Sequence, residues 1–265
     1  MDLKLAGKVV LITGSSRGIG LATAKAFVAE GCRIMLSARS AAQLRDVEAA
    51  LRGAGAAVAA HAGDVGNPAD AARLIDATAG AYGGIDVLVN NVGGGGGGAR
   101  VADSSDDDWR GALERNLIQT VRMMRLALPH MKGRPGCRGD QHCVDFRMEA
   151  AARDVGAIRR SQSGADFRHR AWALEFVPHG IRVNTVSPGS ILVEGNGWDR
   201  YRLANPDYFD DYVRHGFPMG RLGTAEEVAD VIVFLASPRA HWINGRNIPV
   251  DGLEQPHAPL DRRPF

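Results

Sequence analysis

Cysteine, long apolar runs and a leader segment are what this sequence has least of. Only three cysteines occur in 265 residues, Cys32, Cys137 and Cys143, and so sparse a set cannot form a disulfide framework. Apolar runs stay well short of the roughly 20 residues that span a bilayer, and the first residues show no signal-peptide pattern. We therefore expect a protein of the reducing cytoplasm with no membrane partner.

Charge of one sign is not in excess either. The formal net charge is +2, and charged residues make up 23% of the chain against 45% hydrophobic residues. Nucleic-acid-binding surfaces need a concentrated positive charge that this balance does not supply, so we expect no nucleic-acid partner. The composition is that of an ordinary globular protein, and the length suits a single domain over residues 1–265.

The sequence does contain a strand, a glycine turn and a helix in direct succession. Residues 9–12 are consecutive β-favouring apolar residues, typical of a parallel strand buried on both faces. Gly14, Gly18 and Gly20 follow, and a helical pattern runs over residues 21–30. Such a turn leaves backbone N–H groups free at the helix start, where a phosphate can bind, and larger side chains would block it. A plain glycine-rich turn is the alternative.

Strand and helix patterns alternate along the rest of the chain. We predict strands over 32–37, 56–62, 85–90 and 181–186, and helices over 41–53, 68–82 and 106–131 and after Thr224. This alternation predicts an α/β fold, a single-domain Rossmann-type doubly wound parallel sheet with helices on both faces. Asp64 and Asn91 then follow their strands at the same sheet edge as Gly14, and that edge is where such sheets bind ligands.

The glycine spacing and four later stretches carry a resemblance to a known family. The turn Thr13-Gly14-x3-Gly18-Ile19-Gly20 resembles that of the short-chain dehydrogenase/reductase family. The other stretches are Gly63-Asp64-Val65, Asn90-Asn91-Val92-Gly93, Asn116 within a helix, and the run from Arg182 to Gly189. The resemblance covers about residues 5–135 and 172–252. It implies hydride transfer between a nicotinamide cofactor and a ketone or secondary alcohol, and a last strand within residues 247–252.

The resemblance also implies roles for individual residues. The cofactor diphosphate would lie on the glycine turn, formed by Gly14, Ser16, Arg17, Gly18, Ile19 and Gly20. Asp64 would bind adenine beside Val65, and the cofactor ribose would be lined by Asn91, Val92 and Gly93. The nicotinamide would be contacted by Pro188, Gly189 and Ile191. A loop cap at Asp64 and a simple turn at Pro188 are the alternatives.

The end of the second predicted strand indicates which nicotinamide cofactor is used. An acidic residue there would bind the ribose hydroxyls and repel a 2′-phosphate, but residues 36–40 contain no acid. Arg39 lies beside the usual acid position and Arg17 lies within the glycine turn. Two guanidinium groups can hold a phosphate, so we predict NADP(H). A pair of solvated surface arginines is the alternative.

The proton-transfer residues of the family are incomplete in this chain. The family uses a serine, a tyrosine, a lysine four residues after the tyrosine, and an asparagine on the preceding helix. Asn116 matches the asparagine, with an ordinary polar helix residue as the alternative. Between Asn116 and Pro188 there is no tyrosine, and the only lysine is Lys132. Hydride transfer to a carbonyl needs a positioned proton donor, so catalysis by this chain is in question.

The stretch from Cys137 to Arg170, where the family has a buried strand and the catalytic helix, shows no sustained strand pattern. Its frequent charged residues do not suit a strand buried on both faces. A one-base shift of the reading frame, with permitted codons, turns residues 142–149 into Ile-Ala-Ser-Ile-Ser-Gly-Trp. The same shift turns residues 157–167 into a run close to Gln-Tyr-Gly-Ala-Ala-Lys-Ala-Ala-Leu-Ile. We hypothesise two compensating frameshifts, near Gly136 and near Ala171, in the gene or its recorded sequence.

Other interpretations of this stretch are weaker. Cys137, His142, Cys143 and Asp145 match no zinc-binding spacing, so we expect no metal site. The arginines are interspersed with acids and have few aromatic neighbours, which does not favour nucleic-acid contact. If the residues are real, we expect a disordered or mispacked loop.

The remaining segments concern substrate and assembly. Aromatic residues gather in the long connection 193–220, which indicates a lid over a bulky, apolar carbonyl or alcohol; a packed helical insert is the alternative. By resemblance, helices at 106–131 and around 158–177 would form a four-helix contact in a homodimer or homotetramer. We expect the proline-rich tail 253–265 to cross a neighbouring subunit. Two functions remain open, an NADP(H)-dependent oxidoreductase and a catalytically inactive dinucleotide-binding protein with a structural or sensing role.

The frameshift hypothesis makes a direct prediction about the gene product. We expect DNA sequencing across codons 130–175, or mass spectrometry of that peptide, to reveal the serine, tyrosine and lysine of the shifted frame. A peptide mass matching residues 136–171 as printed would exclude an error of recording.

Overall fold

The structure is a computed structural model that describes residues 1–94, 103–131, 141–146 and 165–254. Within these residues seven strands form one sheet, and every neighbouring pair is parallel. The strands are β1 (Val9–Thr13), β2 (Arg33–Ala38), β3 (Val58–Ala62), β4 (Val87–Asn90), β5 (Gln141–Phe146), β6 (Ile181–Pro188) and β7 (Asn247–Val250). Their order is β3-β2-β1-β4-β5-β6-β7. The first three strands therefore extend to one side of β1, and the later strands extend to the other side, beginning with β4. This switch point leaves a crevice between the carboxyl ends of β1 and β4.

Helices connect the strands as the sequence pattern predicts. They are α1 (Gly18–Ala29), α2 (Ala41–Gly53), α3 (Pro68–Tyr82), α4 (Asp106–Leu113), α5 (Gln119–Met131), α6 (Ala165–Phe176), α7 (Gly197–Ala204), α8 (Pro206–Gly216) and α9 (Ala225–Ala236). Side-chain caps mark two helix starts: Asn67 accepts two N–H bonds at the start of α3, and Thr224 forms a capping box with Glu227 at the start of α9. The predicted Rossmann-type α/β fold is confirmed.

The core lies on both faces of the sheet, which explains the unbroken apolar run of β1. Val10 and Ile12 pack into one cluster with residues of α1 and α9, whereas Leu11 packs into a second cluster with residues of α3 and α5. All three side chains are fully buried. Burying each contributes about 1.5–3 kcal/mol, so β1 is fixed from both sides and holds the turn that follows it.

A strand, β5, lies within the stretch that we expected to lack one, and that expectation was wrong. Its backbone fills the slot between β4 and β6, with His142 in register with Val87 and Gln141 in register with Ile181. An empty slot would leave the facing N–H and C=O groups of both neighbours unpaired inside the sheet. Backbone pairing on two sides therefore outweighs the unsuitable composition. Of the two hypothesised frameshift sites, the one near Gly136 lies outside the described residues, as do residues 147–164 of the displaced motifs, whereas Ala171 lies within α6.

The predicted helix over 106–131 is also interrupted, by a π-helical turn at Glu114–Ile118. Two amide side chains compete there for the helix's own carbonyl groups. Asn116 Nδ2 donates to the Ala112 carbonyl at 3.0 Å, and Gln119 Nε2 donates to the Arg115 carbonyl. Each carbonyl is four residues earlier, where a regular α-helix accepts a backbone N–H. The side-chain bonds loosen the ladder and widen this turn.

None of the helices in the described part of the chain is both long and apolar enough to cross a bilayer.

Asp86 joins β1 to β4 at the sheet edge opposite the glycine turn. Its carboxylate accepts the Val9 N–H at 2.8 Å, and its own N–H donates to the Val9 carbonyl at 2.9 Å. Asp86 is only 4% exposed. A buried donor that loses its acceptor carries a desolvation cost, so this side chain stabilises the pairing of the two central strands.

We expect Asp86→Ala to lower the free energy of unfolding by about 1–3 kcal/mol, because the buried Val9 N–H loses its acceptor. Urea titration of the circular dichroism signal measures this change. Asp76→Ala removes the same charge from the exposed side of α3 and should change stability by less than about 0.5 kcal/mol. Equal unfolding midpoints for the two variants would contradict the assigned role of Asp86.

Candidate functional site

The glycine turn between β1 and α1 brings the backbone into contact with itself. Gly14 and Gly18 have φ of +66° and +57°, in the left-handed region that favours glycine. A Cβ at Gly20 would lie 2.3 Å from the Gly14 carbonyl oxygen and 2.5 Å from Asn91 Nδ2. Neither contact is sterically allowed. The three predicted glycines are therefore required by this geometry.

The first turn of α1 is open to an anion. Arg17 is the N-cap residue, and its side chain forms no capping hydrogen bond. The first N–H groups of a helix lack partners within the helix, and the helix dipole places positive potential there. Ser16 lies just before this turn, and Ile19 lies within it and is buried. The arrangement can bind a phosphate through backbone N–H groups.

Asn91 fastens the end of β4 to the glycine turn. Its Nδ2 donates to the carbonyl oxygens of Thr13 and Gly14, at 3.0 Å in both cases. In return, Thr13 Oγ1 accepts the backbone N–H groups of Asn91 and Val92, at 2.9 and 3.2 Å. The predicted residues Asn91, Val92 and Gly93 therefore lie directly beside the glycine turn, at the carboxyl edge of the sheet.

The ends of β1 and β2 are joined by two serines. Ser37 N–H donates to Ser15 Oγ at 2.8 Å, and Ser15 N–H donates to the Ser37 carbonyl at 3.0 Å. Arg39 follows β2 directly, and both Arg39 and Arg17 are exposed. Within the described part of the chain, neither guanidinium has an ion-pair or hydrogen-bond partner. The guanidinium groups of Arg17 and Arg39 therefore lie at the carboxyl edge of the sheet, with N–H donors available to a ligand.

Asp64 and Val65 follow β3 at the same edge. Asp64 Oδ1 accepts the Gly66 N–H at 2.9 Å, so its carboxylate caps its own turn, as the alternative interpretation held. Its side chain is nevertheless exposed, whereas Val65 is buried. A carboxylate can accept further hydrogen bonds, so capping leaves the predicted adenine contact of Asp64 open as a prediction.

Two residues of α5 that sequence reasoning missed hold these loops in place. Arg122 Nη1 donates to the carbonyls of Val65 and Gly66, at 3.2 and 2.9 Å, and its Nη2 bonds Glu114 Oε1 at 2.8 Å. Gln119 Nε2 donates to the Val92 carbonyl at 2.9 Å. A local signal does exist, because both polar side chains interrupt the apolar face of a helix that packs on the sheet.

Asn116 lies in the π turn and is fixed against the loop after β4. Its Oδ1 accepts the Gly94 N–H at 3.0 Å, and its Nδ2 donates to the Gly94 carbonyl at 3.1 Å as well as to Ala112. A Cβ at Gly93 would approach Asn116 Oδ1 to 3.1 Å. The predicted asparagine therefore stands at the binding edge, and the rest of the glycine run, residues 95–98, lies outside the described residues.

Pro188, Gly189 and Ile191 lie at the end of β6, at the same carboxyl edge of the sheet as the glycine turn but three strands away. Gly189 N–H donates to the Val250 carbonyl at 3.0 Å, and a Cβ on Gly189 would lie 2.8 Å from Asp251 Cα. Ile191 is buried and pairs through a single β-bridge with Gly223. The segment is therefore more than a simple turn, because backbone bonds fix it on two sides.

The aromatic connection at 193–220 contains α7 and α8 and a hydrophobic cluster of its own. Trp198 stacks on Tyr212 with ring centroids 6.3 Å apart, and Phe217 meets Trp198 edge-on at 5.7 Å. Phe209, Val213 and Leu222 are the other buried members of the cluster, and Phe217 is partly buried against it. These rings pack against one another, which favours the packed-insert alternative for the rings themselves. The segment still reaches the site, since a Cβ at Gly18 would lie 3.2 Å from Val193 Cγ1.

Tyr82 and Tyr201 lack the lowered pKa that a proton-donating tyrosine needs. Burial raises the pKa of Tyr82 and of Tyr201 above its usual value. A tyrosine that donates a proton at neutral pH needs its pKa lowered instead, by a nearby cation. Tyr82 Oη also donates to the Ile34 carbonyl at 3.1 Å, in the body of the sheet.

Comparisons with known proteins agree with this geometry. A family profile described as enoyl-(acyl carrier protein) reductase matches residues 14–252. Meso-2,3-butanediol dehydrogenase of Serratia marcescens is 36% identical over 253 residues, which cover 94% of this chain and 95% of that protein.

Two solved structures are similar over nearly the whole chain. L-Sorbose reductase of Gluconobacter frateurii, complexed with NADPH and L-sorbose, has a TM-score of 0.85 at 29% identity, covering 96% of this chain and 98% of that one. A short-chain dehydrogenase of Burkholderia cenocepacia in complex with NADP has a TM-score of 0.80 at 28% identity, covering 94% and 98%.

The matched region, residues 14–252, includes all five stretches that carried the resemblance except Thr13 at the start of the first. The chain therefore belongs to the short-chain dehydrogenase/reductase family of oxidoreductases.

Proposed function

We propose that this protein binds NADP(H) and, with a complete proton-donor set, transfers hydride between the nicotinamide and a ketone or secondary alcohol. The observation that carries the proposal is the glycine turn, where a Cβ at Gly20 would collide with the Gly14 carbonyl. This cradle fits a diphosphate because the backbone comes close to the ligand only where side chains are absent. When bound, the nicotinamide ring gives or accepts the hydride.

The adenosine end of the proposed site is the more fully specified. Backbone N–H groups at the start of α1 hold the diphosphate through Gly14, Ser16, Gly18, Ile19 and Gly20. Arg17 and Arg39 hold the 2′-phosphate, since both are exposed cations without partners among the described residues. Adenine lies against Asp64 and Val65. The complexes of the Gluconobacter and Burkholderia proteins with NADPH and NADP support this choice of cofactor.

The nicotinamide end uses the loops after β4 and β6. Asn91, Val92 and Gly93 line the ribose, and Pro188, Gly189 and Ile191 contact the nicotinamide. Backbone bonds fix both loops before any ligand binds, which reduces the ordering cost of binding. The segment that contains α7 and α8 covers the site as a lid, supported by the contact of Val193 with the glycine turn.

Asn116 is the one member of the proposed proton path that the described residues supply. Three hydrogen bonds hold its amide, and they orient it toward the loop at Gly94. The serine, tyrosine and lysine are absent from the printed sequence, so an inactive dinucleotide-binding protein remains the second candidate function. Both functions require the same binding residues and differ only in turnover.

The proposed substrate is a small-molecule carbonyl or alcohol, and the proposed assembly is a homodimer or homotetramer in the cytoplasm. The relatives named above act, by their names, on butanediol and sorbose, hydroxylated compounds that favour a more polar substrate than the bulky, apolar one expected from the aromatic connection. Ile118 and Val121 expose 44% and 41% of their surface on the helix that the family uses for subunit contact. Exposed apolar residues on one helix are consistent with such a contact.

We expect Arg39→Asp to weaken NADPH binding by about 10- to 100-fold and to leave NADH binding equal or tighter. The substitution removes a charge-assisted phosphate contact worth about 1.5–3 kcal/mol and adds an acid that suits ribose hydroxyls. Isothermal calorimetry with each cofactor measures the ratio. Arg246→Asp is the matched control, because Arg246 is exposed at the start of β7, on the opposite sheet edge. If Arg39→Asp left the ratio of the NADPH and NADH affinities unchanged, the assignment of Arg39 to the 2′-phosphate would be wrong.

We expect the chain as printed to bind NADPH while reducing carbonyls negligibly. A variant carrying the shifted-frame residues between 136 and 171 should be faster by at least about 10²-fold, the usual effect of a positioned acid. Loss of NADPH absorbance with a panel of ketones measures turnover. The same variant with phenylalanine in place of the restored tyrosine is the control. Robust turnover by mass-verified protein of the printed sequence would mean that another group donates the proton.

A further inference from the structure

The segment Gly189–Leu192 runs between two other parts of the chain. On one side, Gly223 N–H donates to the Ser190 carbonyl at 3.0 Å, and Leu192 N–H donates to the Gly223 carbonyl at 2.9 Å. On the other side lies the turn after β7, which the Gly189 N–H reaches through Val250. The position of the segment therefore depends on both neighbours.

The carboxylate of Glu254 holds the segment Gly189–Leu192 on the side of the turn after β7. Oε2 accepts the Ser190 backbone N–H at 2.7 Å, and Oε1 accepts from Ser190 Oγ at 2.9 Å. Ser190 is only 5% exposed, so water does not readily replace this acceptor. A carboxylate offers acceptors on both oxygens, which suits two donors from one residue. Each oxygen of Glu254 is thus matched to one donor of Ser190.

The turn that presents Glu254 is strained. Gly252 and Leu253 have φ of +58° and +62° in succession, and the second is a side-chain-bearing residue in the left-handed region. Leu253 is 75% exposed, so packing does not hold it there. Its N–H donates to Asp251 Oδ1 at 3.0 Å, and Glu254 N–H donates to the Asp251 carbonyl at 3.0 Å. Strained backbone persists where surrounding contacts determine it, and here those contacts include the Glu254 bonds to Ser190.

The turn at Asp251–Glu254 packs tightly against Gly189. A Cβ at Gly189 would lie 2.8 Å from Glu254 Oε2 and 2.8 Å from Asp251 Cα. Glu254 therefore lies against Gly189 as well as bonding Ser190, so it holds this segment at two successive residues. Gly189 and Ile191 are two of the three residues that the proposed function places against the nicotinamide.

We propose that Glu254 is a positioning residue for the nicotinamide end of the site, acting through Ser190 on Gly189 and Ile191. This inference rests on the proposed function and adds a residue that lies beyond the last strand. It predicts that Glu254 matters for the nicotinamide half of the cofactor and not for the adenosine half.

The test compares two probes on the full chain. NADPH engages both halves of the site, whereas adenosine 2′,5′-bisphosphate engages only the adenosine half. In Glu254→Ala we expect NADPH affinity to fall by about 10-fold, as for one lost charge-assisted anchor, and the affinity for the bisphosphate to stay unchanged. The fluorescence of the bound reduced nicotinamide should decrease toward that of free NADPH. Glu254→Gln keeps one acceptor oxygen, so its NADPH affinity should lie between those of the wild type and of Glu254→Ala.

Controls separate positioning from a general loss of structure. Asp230→Ala removes one negative charge from the exposed side of α9 and should bind both probes as the wild type does. Equal loss of both probes in Glu254→Ala would indicate damage to the whole domain and overturn the positioning role. Wild-type NADPH affinity and fluorescence in Glu254→Ala would overturn this inference alone. A wild-type chain that binds neither probe would overturn the cofactor proposal, and this inference with it.

Discussion

The absence of any space between the Gly14 carbonyl and Gly20 is the constraint on which the binding edge depends. The chain leaves β1, turns and enters α1 with its backbone in contact with itself, and a methyl group at Gly20 would lie 2.3 Å from the Gly14 oxygen. The same turn receives the Asn91 amide, which bonds both carbonyls of Thr13 and Gly14. The first βα unit and the end of β4 are therefore one structure, and a ligand meets a surface that is already formed.

The parts of this arrangement that have local causes were predictable from the sequence. The apolar run 9–12, the glycines of the turn and the caps at Asn67 and Thr224 each act within a few residues, so their residue types determine the outcome. Arg122 and Gln119 act differently. They bond carbonyls of loops 27 to 57 residues away, and any residue has a carbonyl, so the accepting positions carry no sequence signal. The π turn around Asn116 was missed for a related reason, since it arises from competition between side-chain and backbone donors.

The strand β5 shows the opposite relation between sequence and structure. Composition argued against a strand at residues 141–146, yet the backbone takes the slot between β4 and β6. The slot exists because β4 and β6 are held independently of it, β4 through β1 and Asp86, and β6 through β7 and the buried Arg182, which donates to carbonyls of Leu235, Ser237 and Ile243. Two open ladders then determine the conformation of the chain between them. The presence of a strand at 141–146 therefore says less about whether this stretch can act as the family requires than its residue types do.

The two halves of the proposed site differ in how they are built, and this difference separates binding from turnover. The adenosine half is formed by residues 9–39 together with Asp64 and Val65, and α5 supports it through the bonds of Arg122 to the Val65 and Gly66 carbonyls. The nicotinamide half is assembled from β6, Gly223 and the turn at Val250–Glu254, which meet only in the folded chain. The proton donors would come from yet another part, the stretch after β5. A change in that stretch can remove the chemistry and leave the cofactor contacts in place, because the described hydrogen bonds of the glycine turn and of Asn91 are made to residues that precede β5. Dinucleotide binding therefore tests the fold on both sides of that stretch, whereas hydride transfer tests whether the middle of the chain is what the family requires.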